Sequence, residues 1–561
     1  MRLSNFLVTF SACALFAACA NDETPGGNNL PQGNGEQAFI AVRLAAPNAM
    51  TRTFQDGKNE ENAVTTARFY FFNNEGTAVT VDNSVNYKDV TTTFSDASSP
   101  ADESGNVEEI SNAVLVLENA TVWPEKMVVV LNPPTELNAS KSLSDLRAAA
   151  DDYASEESGK FVMSNAVYAT SSGTQVDAVD LAGYITNNKD AAEGNPVTVY
   201  VERVLARVDV ACTGSLETNK TDGTGTQQSE INGYTGQNGT NEIQAVIKGW
   251  TLANRNAESH LLKSLSTWDN STSIEISKEP ASSWAFATWN DAANHRSYWA
   301  YTDDVTATKL ANDSYATILS NNSTFAATDY CQENTGNGKA TELVAIAELQ
   351  VDNQPADIAK YAGQYWTVDN LLKQFAEQIL SGKIYYKANA GDPTNVTALP
   401  ADALKLRPRN STETSTVAAY EAVLDLKADY QTGYTFYSDA TGNNTIELTA
   451  VQDILNDYKA LYWKDGKTYY HTTIKHTLNS LSKDGVVRNH LYKVSLTGVS
   501  GLGTPIPGTS SDDTDDDPDT DDPEDKPIDP EDPEDENSYL AAEINILSWN
   551  VIGQEVELGK D

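Results

Sequence analysis

The chain has 561 residues, with 38 Lys and Arg against 80 Asp and Glu and a formal net charge of −42. That balance argues against nucleic-acid binding, which needs a basic footprint, while the length allows two or three domains. Charged residues make up only 21% of the chain and Tyr (25) outnumbers Phe (14), as suits strands with one half-exposed face.

The chain opens on Arg2, a short apolar run from Phe6 to Phe16, and Leu15-Phe-Ala-Ala-Cys19. Small residues before a Cys at this depth read as a bacterial lipoprotein signal over 1–19, with Cys19 the lipidated residue. The run is too short and wrongly flanked for a spanning helix, and no later segment is long and apolar enough. Cys13 also follows small residues, but its apolar core would be too short. The plainer alternative is a secretory signal with an incidental Cys. Only Cys212 and Cys331 then remain in the fold. They could pair in an oxidising compartment, though nothing in the sequence shows that they meet.

Residues 20–36 form a polar tether. Ala38-Phe-Ile-Ala-Val-Arg-Leu44 then alternates, with Ala38, Ile40, Val42 and Leu44 on one face of a strand. Pro47 to Arg52 reads as an exposed loop. Strand signals follow at Ala67–Phe72, Ala113–Leu117, Lys126–Leu131 and Val197–Val201, with a helix over Leu143–Tyr153 capped by Ser142 or Ser144. Many short strands with few helices indicate a β-sandwich with helical insertions. A second block starts near Arg203–Val210 and carries strands at Ile243–Trp250, Glu342–Leu349 and Leu491–Leu496. Helices fit Val368–Leu380 and Ala450–Tyr458; in the first, Leu371, Leu372, Phe375, Ile379 and Leu380 repeat at helical spacing and read as core.

From Ser510 to Asn537 the chain holds sixteen Asp or Glu against one Lys, broken by Pro. Such a tract reads as an extended, self-repelling linker. At roughly 3 Å per residue it could reach some 80–90 Å. It ends in one isolated strand, Tyr539-Leu-Ala-Ala-Glu-Ile-Asn-Ile-Leu-Ser-Trp549, with Leu540, Ala542, Ile544 and Ile546 on one face. A lone strand on a tether is not stable alone. It must pair with a sheet edge, in its own molecule or in a neighbour.

Catalytic signals are thin. His471 and His476 are five apart, which on a strand puts them on opposite faces, poor for a shared metal. There is no His-Glu-x-x-His, Gly-x-Ser-x-Gly or Walker loop. Asp512–Asp517 could attract Ca²⁺ loosely, but it lacks the Gly and closing Glu of an EF-hand and reads as a solvated spacer. No cofactor and no enzymatic activity are expected. The aromatics Trp284, Trp289, Tyr298, Trp299 and Tyr301 could stack on sugars, although core packing explains them more simply.

Several segments occur in a familiar order: His295-Arg-Ser-Tyr-Trp-Ala300, Tyr330-Cys-Gln-Glu-Asn-Thr335, Gly485-Val-Val-Arg-Asn-His-Leu-Tyr492, Gly501-Leu-Gly-Thr-Pro-Ile506, and an Asp/Pro tract before a Trp-containing last strand. With the lipoprotein signal, this resembles the major fimbrillins of Bacteroidia (type V pilins), most closely the major subunit of the short fimbriae. The resemblance implies two transthyretin-like β-sandwich domains, at 53–204 and 205–509. It implies export as a lipoprotein to the outer membrane, then removal of a propeptide over 20–52 by an Arg-specific surface protease. Arg52 matches the cleavage position, with Thr53 as the new N-terminus. It further implies a homopolymer grown by strand exchange, with accessory tip and anchor subunits, in fimbriae that support adhesion and biofilm formation.

The residues and the resemblance converge on one feature. The removable strand and the terminal strand over 538–561 each present four small-to-medium apolar side chains at period two. A groove that holds Ala38, Ile40, Val42 and Leu44 could hold Leu540, Ala542, Ile544 and Ile546, while Trp549 could lock the strand's end or pack on its own subunit. The competing expectation is a monomeric surface lipoprotein that binds glycans through the Trp cluster and keeps both terminal strands in its own fold.

Overall fold

The computed structural model describes residues 38–47, 61, 63–81, 84–91, 95–96, 107–117, 122–153, 161–170, 175–212, 227–235, 242–263, 279–280, 294–296, 310–321, 328–334, 339–389, 395–410, 413, 416–417, 420–478, 481–506, 528, 539–547 and 552–554. The chain is mostly β-strand with short helical insertions, as the strand-rich patterning leads one to expect.

The first block is one nine-stranded sheet. Its path runs Tyr87–Val90, Ala67–Phe72, Lys126–Leu131, Met163–Asn165, Val197–Arg203, Ala38–Pro47, Val107–Leu117, Ser95–Asp96, with Val179–Asp180 paired to Lys126–Leu131 off that path. Val197–Arg203 links two halves, pairing Ala38–Pro47 through its start and Met163–Asn165 through its end. Side chains from both halves, among them Ile40, Leu115 and Val199 with Phe69, Val129 and Leu131, share one core. Ala67–Phe72 is buried at every position. Its second face is covered by residues 135–148. Tyr70 Oη donates to Leu137 O at 2.6 Å, and the Arg68 guanidinium reaches the same carbonyl at 3.0 Å.

Helix Leu143–Ala148 begins where Ser142 and Asp145 cap each other reciprocally. It stops five residues short of the expected Tyr153. Ala150–Asp151 leaves the helix to pair with Ser259–His260 of the second block, a tertiary contact that overrides local propensity.

The second block is a β-sandwich. One sheet runs Thr328–Gln332, Leu205–Cys212, Leu491–Ser500, Tyr539–Leu547, Ile552–Gln554; the other runs Gln227–Thr235, Glu242–Ala253, Glu342–Val351, Lys467–Thr473, Thr504–Pro505. Ala206, Val208, Val494 and Leu496 of the first meet Ile247, Trp250, Leu343 and Ala345 of the second. Along Glu342–Val351 the alternate residues Val344 and Ile346 point the other way, into a smaller core with Tyr315 and Ile318 of helix Tyr315–Asn321. Both faces of this strand are therefore buried, which explains its near-continuous apolar run.

Between Glu342–Val351 and Lys467–Thr473 the chain builds a further unit that sequence patterning did not separate. A five-stranded and a four-stranded sheet surround their own core with helices Val368–Gln374 and Leu448–Asn456. The first helix continues as a π turn over Phe375–Ile379. Leu371, Leu372, Phe375 and Leu380 are buried there, as the helical spacing predicted, and Ile379 is half-buried.

Candidate functional site

The leading strand Ala38–Pro47 is central in its sheet. It runs parallel to Val197–Arg203 (Val42 opposite Val197, Leu44 opposite Val199) and antiparallel to Val107–Leu117 (Ile40 opposite Leu115, Leu44 opposite Ser111). At its start Phe39 exchanges two backbone hydrogen bonds with Thr186, at 2.6 and 3.1 Å. Ala38, Ile40 and Val42 are each 0% exposed and belong to the shared core. Period two puts these residues on one face, and that face is the inner one. Taking this strand away would leave a slot with a row of unpaired backbone groups on each side and an apolar floor. Arg43 stands between Thr198 and Asn112, paired on both sides, so a protease could not take it as an extended substrate. Arg52, Thr53 and Cys19 lie outside the described residues.

The terminal strand Tyr539–Leu547 pairs antiparallel with Leu491–Ser500 of its own chain. The register sets Ile546 opposite Tyr492, Ile544 opposite Val494, Ala542 opposite Leu496 and Leu540 opposite Val499. Tyr492, Val494 and Leu496 are buried in the sandwich core. The two choices open to a tethered strand thus resolve, in the single chain, to its own sheet. Ile552–Gln554 pairs on its outer side. The described residues of the sandwich core all precede the acidic tract, so this pairing extends the sheet without founding it. Trp549 lies outside the described residues.

A buried polar joint ties the two blocks, and motif reading missed its role. Arg488 and Glu333, both 0% exposed, pair at 2.9 Å. The Arg488 guanidinium also donates to His260 O and Leu261 O, at 2.5 and 3.0 Å. His260 belongs to the segment paired with Ala150–Asp151, and Leu261 O also accepts from Ser164 Oγ of the first block. Asn489 takes a left-handed backbone (φ 54°), which Asn tolerates, and its Oδ1 accepts from Arg203. Lys263 and Glu202 pair at 3.0 Å, both nearly fully buried. Glu61 receives Arg207 at 3.0 Å and the Tyr330 hydroxyl. Of these, Tyr330, Glu333, Arg488 and Asn489 come from the Tyr330–Thr335 and Gly485–Tyr492 segments. Their unusual feature, charged groups inside apolar strand neighbourhoods, is the signal that marked a joint.

The remaining candidates behave as structure. His471 and His476 fall on two successive strands, Lys467–Thr473 and Lys475–Leu478. His471 Nδ1 meets Glu342 at 2.9 Å. His476 lies 2.8 Å from the Tyr492 hydroxyl, and burial, with Lys263 nearby, pushes its pKa down to about 3. Among the described residues no group of three or more His, Cys, Asp or Glu could hold a metal ion, and no helix is long and apolar enough to cross a membrane. Cys212 and Cys331 are free thiols, each pushed up to about 12 by burial. Cys331 stands opposite Ala206, six residues from Cys212 on one strand. That is about 20 Å, too far for a bridge. The Trp284–Tyr301 aromatics lie outside the described residues.

One expectation needs correction. The acidic tract is not a spacer throughout, because Ile528 is 5% exposed and packs with Ala253, Tyr315, Ile318, Val344, Ile346 and Ile506. Its N–H donates to Asp313 O at 3.0 Å.

Comparison with known proteins matches one segment of the chain. Residues 461–555 match the model of the major fimbrial subunit protein type IV, fimbrillin, C-terminal region. That span contains the Arg488 turn and the terminal strand with its partner. No curated protein matches the chain. Among solved structures, a fimbrilin from Porphyromonas gingivalis is similar at 12% identity over 84% of this chain and 92% of that one, with a TM-score of 0.32. The tip fimbrial protein Mfa3 from the same organism is similar at 10% identity over 83% and 95%, with a TM-score of 0.26. A fimbrial assembly protein from Parabacteroides distasonis is similar at 14% identity over 56% and 80%, also with a TM-score of 0.26. At these scores no residue role is carried across. The segment 461–555 is thus similar to the C-terminal region of fimbrillins.

Proposed function

We propose that this chain is the stalk subunit of a surface fimbrium, exported as a lipoprotein through Cys19, cleaved between Arg52 and Thr53, and polymerised by exchange of strands between copies. Its partners are other copies of itself, tip and anchor subunits, an Arg-specific surface protease and, before cleavage, the outer membrane. The role is structural. One observation carries this reading: the strand lost on cleavage is an interior one of its sheet, paired on both sides, with Ala38, Ile40 and Val42 fully buried. Withdrawing such a strand creates a demand that only another strand can meet. Ile40 and Val42 each contribute roughly 1.5–3 kcal/mol by burial, and a replacement with similar side chains recovers that. Tyr539–Leu547 has nine residues against the ten of Ala38–Pro47 and the same apolar period. The Glu61 contacts with Arg207 and Tyr330 fasten the chain eight residues after Thr53, so cleavage would release only what precedes that anchor.

Arg52→Ala tests the maturation step. The variant is expected to accumulate as a full-length, lipid-attached monomer, with no ladder on an unheated gel. A normal ladder from it would sink the proposal. Export is tested separately by Cys19→Ser, which should lose lipid labelling and surface display. Surface fibres from that variant would show that Cys19 is not the routing signal.

A further inference from the structure

The tract 510–537 contains a single residue of the apolar classes, Ile528, and that residue is the one docked in a pocket. The pocket is built before the tract arrives. Asn312 Oδ1 accepts the Asn254 N–H at 2.9 Å, Asp313 Oδ2 accepts the Thr251 hydroxyl at 2.6 Å, and Tyr315 Oη donates to Ala347 O at 3.2 Å. These bonds hold residues 312–315 against Glu242–Ala253 and Glu342–Val351. The Asp313 carbonyl is thereby aimed at the incoming Ile528 N–H, and Tyr315 with Ile318 walls the side chain. A purely solvated spacer has no use for either feature.

We propose that Ile528 is a latch that clamps the acidic tract to its own subunit and makes the terminal strand swing on the segment after it. The proposal rests on the strand-exchange reading above. The tract then has two arms of different purpose. Residues 507–527 join Ile506 to Ile528, two residues of the same small core. The segment from Ile528 to Tyr539 is the working arm. Its eleven steps span at most about 40 Å, half the reach of an unlatched tract. The latch therefore admits only a neighbour whose open slot lies within that radius, and it keeps the departing strand close to its junction.

Two measurements test the latch. The first uses the purified single chain and a Glu-specific protease, with Glu524 and Glu531 flanking the pocket. Ile528→Asp is expected to speed cleavage at these two sites at least tenfold, while Ile528→Val leaves the rate near that of the parent. Equal rates in the parent and Ile528→Asp would overturn the latch. The second compares fibres from two deletions of equal length. Removing residues 530–535 shortens the working arm and is expected to cut fibre yield more than tenfold; removing 512–517 should leave yield within twofold. Equal loss from both deletions would show that the tract is one undivided tether, against the proposal. Failure of the parent itself to form fibres would instead overturn strand exchange, and the protease rates would still decide the latch.

Discussion

Ile544→Asp is expected to give a subunit that is exported and cleaved yet cannot extend a fibre. In the single chain Ile544 stands opposite Val494, a core residue of the sandwich. In a slot vacated by Ala38–Pro47 the same position would meet an apolar floor. A carboxylate forced into either setting costs several kcal/mol. At about 1.4 kcal/mol per decade, that is a hundredfold or greater loss at every junction. Ile546→Asp should behave alike, and so should deletion of everything after Asn537, which leaves the described sandwich core untouched. Asn545→Asp, on the other face of the strand, should change yield little. Fibre yield and length by electron microscopy, with circular dichroism to show that the subunit is folded, provide the readout. Parent-like fibres from Ile544→Asp would mean that the strand serves only its own sheet.

The second large effect concerns the joint. Arg488→Ala should destabilise the protein by roughly 3–5 kcal/mol, because Glu333 would be left buried, charged and without its partner. The His260 and Leu261 carbonyls would also lose their donor. Glu333→Ala should cost a similar amount by leaving the guanidinium uncompensated. The double change Arg488→Met with Glu333→Leu should recover part of the loss, since an apolar pair carries no charge desolvation penalty, while the His260 carbonyl still lacks its Arg488 donor. Urea denaturation of the four proteins measures these shifts. A shift below about 1 kcal/mol for Arg488→Ala would show that water reaches the pair. A loosened joint should also give fibres that bend more, because this cluster bonds residues of one block to residues of the other.

Much of the architecture was legible where the sequence is periodic. Ala67–Phe72 and Lys126–Leu131 are strands over the full expected spans, and Tyr539–Leu547 falls within its expected one. The first two are aromatic or β-branched runs with clear turn residues beside them, and the third alternates at period two. The helix after Ser142 was legible at its start, where a capping box is a local signal, and not at its end, which is set by pairing with Ser259–His260. Of the insertion between Glu342–Val351 and Lys467–Thr473 the two helices were legible, but not the strands or the separate core, because nothing local says which elements share an interior. The joint escaped for the same reason: Arg488 and Glu333 are 155 residues apart. Ile528 escaped because an acidic tract is judged by its average. One apolar residue among sixteen carboxylates scarcely moves that average, yet Ile528 packs into the fold.

The central claim is that the terminal strand leaves Leu491–Ser500 of its own chain and enters the slot of a neighbour. Cysteine pairs follow that move directly, in a background with Cys212→Ser and Cys331→Ala. Asn545→Cys is combined either with Lys493→Cys, its register partner in the single chain, or with Thr198→Cys, which borders the slot beside Arg43. Glu543→Cys and Ala541→Cys cover the neighbouring outward positions in case the slot register differs. Fibres oxidised after assembly and run heated without reductant are predicted to show disulfide-linked multimers joining position 198 of one subunit to the terminal strand of the next, and no bridge at 493. A bridge between positions 493 and 545 within each chain of the fibre, with no multimers from the 198 series, would contradict strand exchange.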